Sequence, residues 1–140
     1  MPNITQTAAN VLQGSDASVI QMTAGATIVA GNVLYKDTAD SDKVKLAIDT
    51  SSATALVVGI ALNGAVDGQP ITVQTRGDIN PGGTVVVGQI YVVSSTAGAI
   101  SEVDDIVTGD WVTILGIGRI STALPLNIRV SGVQAAADVT

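Results

Sequence analysis

The chain contains no cysteine, no histidine and no phenylalanine. Without cysteine it has neither disulfides nor thiolate metal sites. Without histidine as well, the nucleophile–imidazole pairs behind most hydrolytic triads are excluded. Basic residues are scarce: six Lys and Arg face twelve Asp and Glu, for a formal net charge of −6. Lys36, Lys43, Lys45, Arg76, Arg119 and Arg129 are scattered along the sequence. Nucleic-acid binding needs bases clustered enough to displace phosphate counterions, so direct contact with DNA or RNA is not expected. Glycines and polar residues interrupt every apolar run before it reaches the roughly 18–20 residues of a membrane span. No charged segment followed by an apolar one opens the chain, so no export signal is expected. The composition reads as that of a soluble protein made in a cytoplasm and acting away from membranes.

Aromatics are nearly absent too, at 2%: Tyr35, Tyr91 and Trp111. The core must then be built from Val, Ile, Leu and Ala, each burying less than the ~150–250 Å² of an aromatic ring. A thin β structure is expected, with leftover apolar surface covered by neighbouring subunits. At 140 residues the chain fits a single domain.

What the sequence does contain is a repeat. Shifted by 57 positions, Gly25 falls on Gly82, Thr27 on Thr84, Val29 on Val86 and Gly31 on Gly88. Gly59-Ile60 falls on Gly116-Ile117, Ile71 on Ile128 and Val73 on Val130. Turn glycines land on turn glycines and apolar runs on apolar runs, without a gap. So long a period implies two copies of one β unit, about 25–78 and 82–133, and not a solenoid of short repeats. Gly31 and Gly88 are expected in matching turns, and Gly59 and Gly116 likewise.

Expected strands include Thr27–Val29, Gly31–Tyr35, Val44–Ile48, Leu56–Leu62, Ile71–Thr75, Thr84–Val87, Gln89–Val93, Trp111–Ile117 and Leu126–Val130. Asn63-Gly64 is a favoured hairpin pair. Asn80-Pro81-Gly82-Gly83 is the strongest breaker and marks the seam between the copies. With no long stretch of 3.6-residue period, the fold class is all-β, a small barrel or sandwich of two duplicated units. Residues 1–23 differ, having neither Lys nor Arg and little periodicity. They read either as a frayed terminus or as an extended arm that orders against a partner, ahead of a β domain spanning 24–140 with a short C-terminal tail.

Few residue patterns in the chain carry chemistry. Ser41 or Ser51 with Lys43 has no motif behind it. The carboxylates Asp37, Asp40 and Asp42, or Glu102, Asp104 and Asp105, sit in turn-like loops where Asp serves backbone hydrogen bonding. Asp37-x-x-Asp40-x-Asp42 lacks the ligand spacing and terminal Glu of a calcium loop. The glycine-rich segments lack a phosphate-binding lysine and helix. No catalytic residue, cofactor or required metal is therefore expected. The candidates for partner contact are Ile4, Val11, Leu12, Val19, Ile20 and Met22 on the arm, together with Trp111.

Several segments carry a family resemblance. Ala24-Gly25 with Val29-Ala30-Gly31-Asn32-Val33-Leu34-Tyr35, Val57-Val58-Gly59-Ile60-Ala61-Leu62 and Gly68-Gln69-Pro70-Ile71-Thr72-Val73 resemble tailed-phage capsid decoration (cement) proteins. So do Gly88-Gln89-Ile90-Tyr91-Val92 and Val112-Thr113-Ile114-Leu115-Gly116-Ile117, and the resemblance spans about residues 24 to 132. It implies a β-rich fold, including the β-tulip type, and a homotrimer on the outer surface of the virion. It further implies the major capsid protein as partner, attachment helped by the N-terminal segment, and no catalytic residue to carry over. A β-structured tail or fibre module and a carbohydrate-binding module are the alternatives, the latter short of the exposed aromatics it needs.

Overall fold

The computed structural model describes residues 3–128 and the backbone of 133–134. Arg129, Val130 and most of the C-terminal tail lie outside the described residues. In chain order the strands are β1 (Val11–Gln13), β2 (Ser18–Thr23), β3 (Val33–Asp37), β4 (Lys43–Leu46), β5 (Val57–Ala61) and β6 (Pro70–Pro81). They continue as β7 (Ile90–Val93), β8 (Ile100–Glu102), β9 (Trp111–Val112), β10 (Ile114–Ile117), β11 (Leu124–Leu126) and β12 (Val133–Gln134). Among the described residues two short 3-10 turns, Ala8–Asn10 and Val103–Asp105, interrupt the β structure. The protein is all-β.

β6 organises the larger sheet. One of its edges takes β2 and then β1, and the other takes β5 and then β11. Beyond β5 the sheet continues through β3 to β4, while β10, β7 and β8 form a second antiparallel sheet. Gln74 braces the middle of β6. Its side chain is fully buried and its Nε2 donates to the carbonyls of Arg76 (3.3 Å), Gly77 (3.1 Å) and Asp78 (2.8 Å). Three converging carbonyls fix the amide's orientation, because a reversed amide would bring oxygen against oxygen. Gln74 Oε1 is left buried without a partner.

Two aliphatic cores result. The larger centres on Val33, Ile60, Ile79, Tyr91 and Leu115, the smaller on Ile28, Leu34, Val44, Ile71 and Val73. Tyr91 is the aromatic at the centre, and its hydroxyl accepts the N–H of Val86 (2.8 Å). Burying a phenol ring requires such a partner for its polar tip.

The 57-residue offset recurs in the pairing. β3 meets β5 as Val33↔Ile60, Leu34↔Gly59 and Tyr35↔Val57, with a bulge between Leu34 and Tyr35. β7 meets β10 as Ile90↔Ile117, Tyr91↔Gly116 and Val92↔Ile114, with the bulge at the matching place. The N–H of Gly31 donates to the Ala61 carbonyl and that of Gly88 to the Gly118 carbonyl, both at 2.8 Å. Both glycines have positive φ, 94° and 81°. Gly25 and Gly82 do not correspond: Gly25 N–H reaches the Val44 carbonyl, whereas Gly82 closes a turn on Asn80 Oδ1.

Four expectations are corrected. Neither sheet closes into a barrel: among the described residues β2 forms a ladder with β6 alone, and the chain meets β4 through a single bridge, Ala24↔Val44, just beyond β2. Residues 3–23 do not stand away as an arm. Ile4 N–H donates to the Ile100 carbonyl (2.9 Å), Thr7 N–H to Gly82 (2.8 Å), and β1 and β2 lie along β6. Pairing satisfies backbone groups that β6 would otherwise expose. Asn63-Gly64 is not a tight hairpin; Asn63 Oδ1 instead accepts the N–H of Thr72 (2.7 Å) within the connection from β5 to β6. Finally, Thr27–Val29 and Thr84–Val87 are not strands, although Ile28 makes an isolated bridge to Ala65.

Candidate interaction surface

The seven contact candidates divide between core and surface. Ile4 and Val11 are half-buried against the larger core, and Met22 against the smaller. Leu12, Val19 and Ile20 are exposed at 64%, 40% and 46%, and all three lie on the strands that edge β6. Trp111 is half-buried in β9, its backbone N–H donating to the Asp49 carbonyl (2.9 Å) and its backbone paired with that of Gln134. They therefore form no single patch. The sequence reading missed a second group of exposed aliphatics: Val86, Val87, Ile117 and Ile120. Val85 N–H donates to the Ser121 carbonyl and Gly88 N–H to the Gly118 carbonyl, so these two loops run alongside each other. That geometry sets Val86 near Ile120. The signal was present as a run of three valines before Gly88; on this loop Val85 enters the larger core while Val86 and Val87 are left exposed.

An open cleft of about 520 Å³ lies beside these loops, lined by Leu12, Asn10, Asn80, Thr84, Ser121 and Thr122 among others. Its lining is neutral, combining amides, hydroxyls and small apolar groups. It offers contact surface without a nucleophile–base pair.

Three of the basic side chains are held in ion pairs. Lys45 bridges Asp37 (2.8 Å) and Asp40 (3.1 Å), and Lys43 pairs with Asp67 (3.1 Å). Hydrogen bonding from Lys45 holds the Asp37 carboxyl below the usual carboxylate range, and the partnership pushes Lys45 upward in turn. Both are surface groups, so the pairs add little stability. Arg119 pairs with Asp78. Ser51 Oγ is hydrogen-bonded with Thr54 Oγ1 (2.8 Å); with Lys43 paired to Asp67, neither half of the Ser–Lys combination is directed at the other. Among the described residues no three metal-capable side chains gather.

Asp49 is the exception to surface placement, being 7% exposed. It lines a small cavity with Ser95, Ser101 and Asp105 where the two halves of the chain meet. Burial, then the neighbouring Asp110 and Asp105 charges, push its carboxyl above the ordinary value. A carboxyl raised in the folded state contributes stability that is present below the unfolded pKa and lost as pH rises through the folded pKa. Asp49→Asn should therefore melt higher than the wild type at neutral pH. The advantage should vanish well below the carboxylate range; thermal melts across pH check this, and an unchanged difference at acid pH would contradict it.

No family model and no curated protein matches the chain.

Proposed function

We propose that the chain is a non-catalytic structural protein that binds the outside of a phage capsid and stabilises it, as a decoration or cement protein. The observation that carries the reading is the set of exposed aliphatic side chains on the 84–88 and 117–122 loops and on β1, beside a neutral cleft. Exposed apolar side chains gathered on one part of a surface favour a protein partner. The resemblance of the β segments to cement proteins supplies the identity of that partner, the major capsid protein. Place of action is the outer virion surface after synthesis in the host cytoplasm, with no contact with nucleic acid or membrane. The repeated ladder register and the repeated turn hydrogen bonds support an origin from two duplicated β units. As a homotrimer, the number implied by the resemblance, each copy offers the shell the same surface. A stable contact buries about 800 Å² per partner, and repetition across the shell stabilises the assembled state by mass action.

The test is cosedimentation of purified protein with capsids lacking it, followed by heating. Binding and a higher rupture temperature are expected. Protein that neither binds capsids nor raises that temperature overturns the reading, and particles seen instead on tails by negative stain would make it a tail or fibre module. Glycan binding dependent on Trp111 would favour the carbohydrate module; the half-buried position of that ring speaks against it.

A further inference from the structure

The two outer edges of the larger sheet are treated differently. β4 carries Lys43 and Lys45, both held in ion pairs, a common guard against edge-to-edge pairing, and it is also met by Ala24, bridged to Val44, and by Gly25, whose N–H donates to the Val44 carbonyl (2.8 Å). The β1–β2 edge carries no such guard. From Val11 to Thr23 its one charged residue is Asp16, whose Oδ1 is engaged by the N–H of Asp78 (2.9 Å). β2, Ser-Val-Ile-Gln-Met-Thr, has no Pro, Lys or Glu, and among the described residues β6 is its one ladder partner, the chain meeting β4 at the Ala24↔Val44 bridge just past its end. A neutral, half-apolar strand with an open edge is a template for another strand.

We propose that this edge pairs with the same edge of a second copy of the chain, β2 running antiparallel to β2 of its partner across a twofold axis. Charge selects the occupant. A chain of net charge −6 repels its own copies, and this neutral edge lets two backbones meet without opposing carboxylates. Side-chain alternation sets the register. Ile20 and Met22 stand across from Val73 and Ile71 of the smaller core, so the even-numbered residues of β2 share the core face. A joined sheet that keeps both core faces on one side opposes even residues to even residues. Ile20, 46% exposed in one copy, then lies opposite or diagonal to its symmetry mate and becomes covered. Such an isologous contact is distinct from the contacts that close a ring. Alone it gives a dimer; added to a trimer it gives a hexamer. The inference stands apart from the capsid reading.

Sedimentation equilibrium of the full-length chain tests it, with Ile20→Lys, Ile20→Glu and an equal mixture of the two. The wild type should form even-numbered species. Each variant alone should weaken that step by about tenfold or more, while thermal melts show the fold retained. The mixture should recover association, because an ammonium then faces a carboxylate across the junction, a result that misfolding cannot produce. A wild type that stays monomeric or simply trimeric at every concentration overturns the proposal. So do variants that associate like the wild type, or a mixture that fails to recover. A wild type that binds capsids without self-association, with capsid binding lost in both Ile20 variants, would assign the edge to the shell protein, overturning self-pairing and leaving the cement reading intact.

Discussion

Alanine at Gly59 or at Gly116 should cost about 3 kcal/mol or more of folding stability, read as a lower urea midpoint with an unchanged slope. A Cβ built at Gly59 would collide with the carbonyl oxygen of Gln74 and lie 2.7 Å from Val73 Cγ1. At Gly116 it would collide with the carbonyl oxygen of Pro125. Both obstacles include backbone of the adjoining strand, which cannot swing aside as a flexible side chain does. To admit a methyl group, β5 must separate from β6, or β10 from β11, and the ladder or its buried contacts open. Gly64→Ala is the control, because its Cβ would meet only the Ile28 carbonyl at 3.4 Å, an ordinary contact. It should change stability by less than about 1 kcal/mol. If the three variants melted alike, the close approach of these strands would be refuted.

These glycine pairs also mark how far the sequence could be read. Their coincidence at an offset of 57 was legible because each sits where the next strand presses on the backbone, a demand that leaves glycine visible in any composition. The strands flanking them were legible for a similar reason, since β-branched residues alternate wherever one face is buried. β2 was not legible. Both its faces stay partly open, so no period of two is imposed on Ser18–Thr23. The length of β6 was hidden by its last residue, because Pro81 reads as a breaker although its missing N–H is tolerated at a strand end. Asn63 misled in the opposite direction, spending its side chain on Thr72 instead of turning a hairpin. For the contact surface, apolar residues on the N-terminal segment were legible as a set. Their division between core and edge was not, because that depends on which side of β6 each one meets.

Deletion of residues 1–20 should abolish the cooperative fold or lower its melting temperature drastically, where the sequence alone suggested a detachable arm. The deletion removes β1 and Ser18–Ile20, stripping one edge of β6 from Val73 to Pro81. It also removes Ile4 and Val11 from the larger core; a fully buried aliphatic side chain is worth about 1.5–3 kcal/mol. The Gln6 side chain, whose Nε2 donates to the carbonyls of Gly31 (2.9 Å) and Pro81 (2.7 Å), goes with them. These losses add to several kcal/mol against a typical total of about 5–15 kcal/mol. Loss of capsid binding by the truncated chain would then report unfolding and not the removal of an attachment element. Leu12→Ser and Val87→Ser separate the two effects, since both side chains are more than half exposed and touch neither core. Each should melt within a few degrees of the wild type while weakening capsid attachment if its surface is the one engaged. A truncated chain that folds and melts like the full-length protein would show that pairing along β6 contributes little, and would restore the detachable arm.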